Sequence, residues 1–493
     1  MRLVRIALAN VNATVGAVKS NVDRALDLTR KAAADGATLI VLPEQVVGGY
    51  MQEDLVQWRT FVDAQEVALV RFASETKKLG STIVLGCTVA RGDHLYNVAA
   101  VVHAGKVRGL VPKEKLPSYN VFYEGRTLAR GAIGLYDEIA IAGASTDAIP
   151  FGDLVFDLDF GTLAVEVCED LWSPDGPMRR RCYAGAEIVV NVSASPFRLG
   201  VVGTRREMIS TRSGDNQCTV AYTGLVGAND GLIYDGGGFI AQNGRMLLEA
   251  PRFTESFAAT TVDLDRTRRL RAENTTWRND QEAFSALAPS VRHVKIKEPT
   301  TGRDALTFAP PRNASFFLPP DETPVPPRVS FCEDLLDALA LGIGDYFEKT
   351  RAFKTIGVAL SGGRDSLLCL LLAHRWVLRR HASLDAAGKK AKVAEILRAF
   401  YMPTRFSSAE TQLAAQKAAE ELGVPFAIVP VDDAFTRELE AMAPMLQPGE
   451  TITPLTKQNI QARIRAERMW NWSNSAAGLF LQTSNMSEKA VGY

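Results

Sequence analysis

Six cysteines in 493 residues are too few and too scattered for a disulfide framework. Net charge is missing altogether, since Lys+Arg and Asp+Glu each number 56. A dedicated nucleic-acid binder is clearly basic, so no nucleic-acid partner is expected. No apolar run reaches membrane-spanning length, so no membrane partner is expected either. Residues 1–10 imitate the apolar start of a signal peptide. Asn10, Asn12, Lys19 and Asp23 follow with no cleavage region, so the stretch reads as a strand entering a helix, and the cytoplasm is the expected compartment. What remains is ordinary globular composition, 46% hydrophobic and 23% charged. The length suggests two or three domains.

What is present begins with Ser361-Gly362-Gly363-Arg364-Asp365-Ser366. An apolar strand-like run over 354–360 precedes it, and a leucine-rich helical run over 367–373 follows. Strand, Ser/Gly turn and helix N-terminus together make an anion pocket, because free N–H groups and the helix dipole both face it. The Gly-Lys-Ser/Thr ending of a Walker A loop is absent. Far upstream, three segments each close an apolar strand with a reactive residue: Glu44, Lys113 and Cys168. A carboxylate to take a thiol proton, a thiolate to add to a carbonyl and a cation to steady the oxyanion are the parts needed to attack an amide.

The pattern divides the chain. Over 1–265, strands are expected at 4–9, 38–42, 82–89, 98–103, 163–167, 188–192, 220–224 and 238–241, with helices at 21–34, 66–79, 178–184 and 204–215. Residues 266–330 read as a connector, proline-rich at its end, with Trp277 and Phe284 as signs that part of it packs on a domain. Over 331–493, helices at 333–350, 366–380, 409–422 and 457–475 alternate with strands at 355–360, 399–402, 426–430 and 478–483. That order predicts a parallel, doubly wound α/β sheet with its ligand at the carboxyl ends of the strands. Asn459 and Arg463 are four apart and share a helix face. The run from Thr483 to Glu488 adds a hydroxyl and a carboxylate, and Asp365 with Glu488 is the candidate ligand pair for Mg²⁺.

The SGGRDS turn resembles the pyrophosphate loop of ATP pyrophosphatases. Glu44, Lys113 and Cys168, with Lys-x-x-Leu-Pro at 113–117, resemble the nitrilase-type carbon–nitrogen hydrolases, as do residues 12–16 and 235–239. Adding Met402-Pro403-Thr404-Arg405, the NIQARIR run at 459–465 and the TSNMSE run at 483–488, the whole chain resembles the glutamine-dependent NAD⁺ synthetases. The resemblance implies an N-terminal α-β-β-α sandwich followed by a Rossmann-like PP-loop domain. It implies Glu44 as base, Lys113 rather than Lys115 as the cation and Cys168 as nucleophile, with Tyr50, Tyr119, Ser193 and Ser195 in a glutamine pocket. It further implies ATP at Ser361, Gly362, Gly363, Asp365, Ser366 and Thr483, deamido-NAD⁺ at Asn459 and Arg463, and Mg²⁺ at Asp365 and Glu488. The expected partners are L-glutamine, ATP, deamido-NAD⁺ and further copies of the chain in a homo-oligomer.

Some features depart from the family pattern. Arg364 stands where a small or apolar residue is usual, and Met486 where Lys is common. The family continues past Gly492-Tyr493, so the chain is expected to lack the C-terminal end of the synthetase domain and to be a better glutaminase than synthetase. Two other readings stay open at this point. One is a glutaminase feeding ammonia to a different ATP-activated acid; the other is a scaffold whose synthetase half has decayed.

Overall fold

A computed structural model describes the chain except for residues 145–147, 288, 309–325, 485 and 491–493, and the side chains at 327, 488 and 489. By their contacts, the residues fall into two compact units, Met1–Cys332 and Glu333–Tyr493.

The first unit is built on two sheets. In one, the strands run in the order Ser256–Asp263, Leu3–Asn10, Leu39–Val41, Thr82–Arg91, His94–His103, Lys106–Pro112, Ile149–Gly152, Tyr136–Ile139. Leu3–Asn10, Leu39–Val41 and Thr82–Arg91 are parallel, with Ile6 opposite Leu39 and Leu39 opposite Thr82. At the centre of the other sheet, Ile188–Ser193 lies parallel to both Gly161–Val167 and Thr219–Gly224.

Strand periodicity then sorts the core. Val4, Ile6 and Leu8 face inward with Leu163, Val165, Val167, Ile188 and Val190 to fill the space between the sheets. Ala7 and Ala9 face outward, where Val22, Leu26, Leu69 and Phe72 of the helices Val18–Ala34 and Arg59–Glu75 cover them. On the far side, Cys182 and Ile209 of the helices Met178–Tyr183 and Val201–Asp215 cover Ala164, Val189 and Val220. Burial on both faces explains why these strands read as continuous apolar runs rather than alternating ones. The layers are the expected α-β-β-α.

The stretch expected as a connector is largely part of this unit. Helices Leu264–Glu273 and Thr275–Leu287 and the strand Arg292–Lys295 follow directly, and that strand pairs in parallel with Leu154–Leu158. Trp277 is buried, with the Arg271 guanidinium 4.7 Å above its ring and Tyr183 edge-on to it. Polar sequence hid these helices, because each buries little besides one aromatic or aliphatic contact. The prolines at 310, 311, 319, 320 and 324 lie outside the described residues.

The second unit has four parallel strands in the order Phe426–Ile428, Leu397–Tyr401, Thr355–Ala359, Gly478–Leu481. Ile356, Val358, Leu397 and Ala399 pack against Leu370, Ala373 and Val377 of the helix Arg364–Arg380 and against Val393 and Ile396 of Ala386–Ile396. Phe400 and Phe480 meet Phe435, Ile460 and Ile464 of Asp432–Met442 and Pro454–Ala476 on the opposite face. The sheet is doubly wound, as expected. The helices Ala386–Ile396 and Asp432–Met442 were not anticipated; the small and charged residues of the first carry little periodic signal, whereas the second has a clear apolar face that was overlooked. No helix among the described residues is long and apolar enough to cross a membrane.

Candidate active site

Glu44, Lys113 and Cys168 each sit just past the carboxyl end of a strand, and the fold brings those ends together. Glu44 and Lys113 are fully buried and Cys168 is 5% exposed. The Lys113 ammonium donates to Glu44 Oε1 at 2.8 Å and to Glu124 Oε1 at 2.8 Å. Glu44 also accepts from Asn97 Nδ2 and from the Ala194 backbone N–H, both at 2.7 Å. Gly86 makes this approach possible: a Cβ there would lie 2.3 Å from the Gln45 nitrogen and 2.5 Å from Glu44 Cα.

Cys168 adopts φ 42° and ψ −97°, a sparsely populated conformation for a residue with a side chain. It is pinned by its own N–H to Val192 O at 2.9 Å and by Asn191 Nδ2 to its carbonyl at 3.3 Å. The Ser193 hydroxyl donates to Asn191 Oδ1 at 2.8 Å and lies within hydrogen-bonding reach of the thiol.

The electrostatics follow from burial. Burial pushes the Cys168 thiol up, and the Glu44 charge adds to this while Lys113 opposes it. Burial on its own would lower the Lys113 ammonium, but the Glu124 and Glu44 carboxylates outweigh it and hold the group well above its ordinary value. Burial raises Glu124 to about 7, against the pull of Lys113. Tyr50, buried and donating to Glu124 Oε1 at 2.8 Å, is raised well above its ordinary value by burial and then by that carboxylate. Burial thus favours the neutral thiol, so any attack by this sulfur would need a group to take its proton.

A cavity of about 300 Å³ is lined by Tyr50 and Glu124 together with Gln52, Glu53 and Arg126. A wider, open pocket is lined by Tyr119, Lys115, Glu169 and Trp172. Tyr119 is half exposed and donates to Glu169 Oε1 at 2.9 Å. Lys115 lies in that outer pocket, not in the buried cluster. The Ser195 carbonyl accepts from Arg205 Nη2 at 3.0 Å, and Arg205 is held by Asp235 at 2.8 Å.

In the second unit the Ser361–Ser366 turn closes on itself at the start of the helix Arg364–Arg380. The Ser361 N–H donates to Ser366 Oγ at 3.1 Å, the Gly363 N–H to Ser361 Oγ at 3.2 Å, and Ser366 Oγ to Gly363 O at 3.1 Å. Gly362 has φ +80°, and a Cβ on it would lie 2.5 Å from the Thr411 carbonyl. Asp365 is exposed in the first helical turn. Thr483 follows the strand Gly478–Leu481, so turn and threonine flank the point where the strand order reverses. On the helix Pro454–Ala476, Gln461 accepts from Thr404 Oγ1 at 3.0 Å and Arg465 Nε donates to Met402 O at 3.0 Å. Asn459 and Arg463 occupy the other flank of that helix, with Arg463 exposed. The side chain of Glu488 lies outside the described residues.

The carbon–nitrogen hydrolase family model matches residues 5–272, and the NAD synthase model matches residues 335–493. A glutamine-dependent NAD(+) synthetase of Aquifex aeolicus is 30% identical over 495 residues, covering 100% of this chain and 76% of that one. The corresponding protein of Mycobacterium tuberculosis is 32% identical, covering 99% of this chain and 70% of its own. The chain belongs to the glutamine-dependent NAD⁺ synthetase family. It is accordingly an enzyme of the carbon–nitrogen ligase class. The solved glutamine-dependent NAD(+) synthetase of Cytophaga hutchinsonii superposes with a TM-score of 0.77 at 24% identity, covering 100% of this chain and 76% of that one, which is likeness of fold.

Sequence reasoning missed Glu124, Asn97 and the Ala194 amide. Glu124 lies in the short helix Glu124–Thr127, eleven residues past Lys113, among polar residues that give no periodic signal. Its one visible mark was an acidic residue close behind a lysine already singled out.

Proposed function

We propose that the first unit hydrolyses L-glutamine and that the second uses the ammonia and ATP to convert deamido-NAD⁺ to NAD⁺. The observation that carries this reading is the buried Glu44–Lys113–Glu124 cluster beside a strained cysteine, in one chain with a self-capped Ser-Gly-Gly turn. Glu44 takes the Cys168 proton as the sulfur adds to the carboxamide carbon. Lys113 steadies the oxyanion, where a fixed charge in a dry site acts strongly. The proton passes to the departing ammonia, leaving a glutamyl thioester, and water, deprotonated by Glu44, releases glutamate and the thiol. Tyr50, Tyr119, Ser193 and Ser195 are the proposed contacts to glutamine.

In the second unit, the ATP pyrophosphate docks on the Ser361–Ser366 turn, taking over the N–H groups of Ser361 and Gly363 from the turn's own hydroxyls, with Thr483 beside it. The nicotinate carboxylate of deamido-NAD⁺ attacks the α-phosphorus and pyrophosphate leaves. Ammonia then adds to the adenylated carboxyl and AMP leaves. Asn459 and Arg463 are the proposed dinucleotide contacts. Mg²⁺ suits this site because it draws most of its ligands from phosphates and water and needs only one or two carboxylates. Asp365 offers one at the helix start, and no cluster of three or more His, Cys, Asp or Glu forms among the described residues. When bound, the ion neutralises phosphate charge. Exposed Trp58 and Tyr123 support self-association, and six free cysteines fit a reducing cytoplasm.

Glutamine labelled with ¹⁵N at its amide tests the scheme. The expected result is label in the NAD⁺ carboxamide together with AMP and pyrophosphate. Label released as ammonia under every acceptor tried, with no AMP formed, contradicts the synthetase half.

A further inference from the structure

Asp170 makes and breaks no bond in this chemistry, yet its carboxylate joins the segments that do. It is 1% exposed. Its Oδ1 accepts from the backbone N–H of Glu114 at 3.0 Å and of Lys115 at 2.8 Å, the two residues after Lys113. Its Oδ2 accepts from the N–H of Val167 at 3.1 Å, the residue before Cys168. The first segment leaves the strand Lys106–Pro112 of one sheet, and the second leaves Gly161–Val167 of the other. A single carboxylate thus ties the two sheets at the level of the reactive groups.

The far end of the tie is anchored as well. The Glu114 carboxylate is paired with Arg180 and Arg181, whose guanidiniums also hold Asp153 at 2.8 and 3.0 Å. All four side chains are buried or nearly so. Filling this space with an apolar side chain would avoid desolvating a carboxylate, so the carboxylate is there for its three backbone bonds.

We propose that Asp170 is a positioning residue that sets the Lys113 ammonium against the Cys168 thiol by tethering residues 114–115 to Val167. The inference rests on the reading of Cys168 as the nucleophile of glutamine hydrolysis. A reacting group displaced by about 1 Å loses on the order of a hundredfold in rate. Asn at position 170 keeps the volume and one oxygen for the Glu114 and Lys115 amides. Its NH₂ must face either the Val167 N–H or those two amides, so one end of the clamp is lost whichever way the amide turns.

The test compares Asp170→Asn and Asp170→Ala with Glu187→Gln. The last breaks the 2.6 Å ion pair with Arg2 at the amino end of the strand Ile188–Ser193, opposite the site, and serves as a stability control. Two quantities are read: kcat and KM for glutamine, and the pH dependence of Cys168 alkylation by iodoacetamide. For Asp170→Asn, kcat should fall roughly 10- to 100-fold with KM within about threefold. The alkylation profile should move to higher pH, because Lys113 lowers the thiol and its displacement removes that effect. Loss of a negative charge alone would move the profile the other way, and Glu187→Gln should move neither quantity. Wild-type kcat with an unmoved profile in Asp170→Asn overturns the proposal. So does a loss of kcat in Asp170→Asn that equals its unfolded fraction. If Asp170→Ala fails to fold, Asp170→Asn carries the test. If the wild type is alkylated at Cys168 but hydrolyses no glutamine, the glutaminase reading fails, while the alkylation profile still decides the role of Asp170.

Discussion

The two units hold their chemistry in opposite ways. In the first, Glu44, Lys113 and Cys168 come from separate strand ends, and burial forces every charge to have a partner. In the second, six consecutive residues form a turn bonded to itself, with Asp365 exposed. A covalent centre must be dry and assembled before its substrate arrives, whereas this turn is open to solvent and would exchange its own hydroxyl contacts at Ser361 and Gly363 for a phosphate. Removing a charge from the buried cluster of the first unit should therefore break chemistry and stability together. Damage to the second should fall mainly on binding.

The largest effect is expected from Cys168→Ala, which removes the proposed nucleophile and should cut glutamine hydrolysis by roughly 10⁴-fold or more with the fold intact. Ammonia release and far-ultraviolet circular dichroism read the two sides. Lys113→Met should lower kcat by about 10³-fold. It also strands two buried carboxylates, so thermal unfolding should show a loss of about 3–5 kcal/mol. Lys115→Met, in the outer pocket, should change kcat less than about threefold. Equal effects at the two lysines would erase the contrast between buried cluster and open rim.

In the second unit, Gly362→Ala places a Cβ against the Thr411 carbonyl at positive φ. ATP affinity, measured by calorimetry, should fall at least about tenfold, with a stability loss of about 1–3 kcal/mol. The rate of Cys168 alkylation should stay at its wild-type value.

A smaller and pH-dependent effect belongs to Glu124. Its ionised form accepts from Lys113 and Tyr50, and burial raises its pKa to about 7. Glutamine hydrolysis should therefore fall as pH drops through about 7, and Glu124→Gln should show a low, flat rate across that range. Stability runs the other way. The folded state keeps a proton that the unfolded chain loses near 4.5, so this group's contribution is greatest below that pH and fades as pH rises toward 7. Urea unfolding of wild type and Glu124→Gln at pH 5 and pH 8 measures it. The smallest change is expected for Tyr119→Phe, whose hydroxyl meets only a half-buried Glu169; KM should rise about two- to threefold.

The same contrast governs what the sequence disclosed. The SGGRDS turn is contiguous, so its strand, turn and helix could be read in place. The strands over 4–9, 82–89 and 188–192 were legible because burial on both faces enriches them in Val, Ile and Leu. Glu44, Lys113 and Cys168 were legible only as residues at strand ends, and the family resemblance supplied their association. Glu124 was not legible, since its role comes from where a polar loop folds back. Asp170 was hidden for a related reason: its partners are backbone amides, which leave no trace in residue type. The helix Ala386–Ile396 went unseen because small and charged residues blur the helical period, whereas Asp432–Met442 was legible in the spacing of Phe435, Leu439 and Met442 and was overlooked.

The central claim is that one buried cysteine forms a covalent bond with glutamine inside the Glu44–Lys113–Glu124 cluster. The most direct measurement is mass spectrometry of peptides from enzyme quenched in acid during turnover of glutamine. The account predicts a glutamyl thioester on the peptide carrying Cys168, absent from Cys168→Ala; a chloroketone analogue of glutamine, which loses chloride to form a thioether, should label the same peptide more slowly in Glu44→Gln. An adduct on Cys87, Cys182, Cys218, Cys332 or Cys369, or turnover with no adduct on any cysteine, would contradict it.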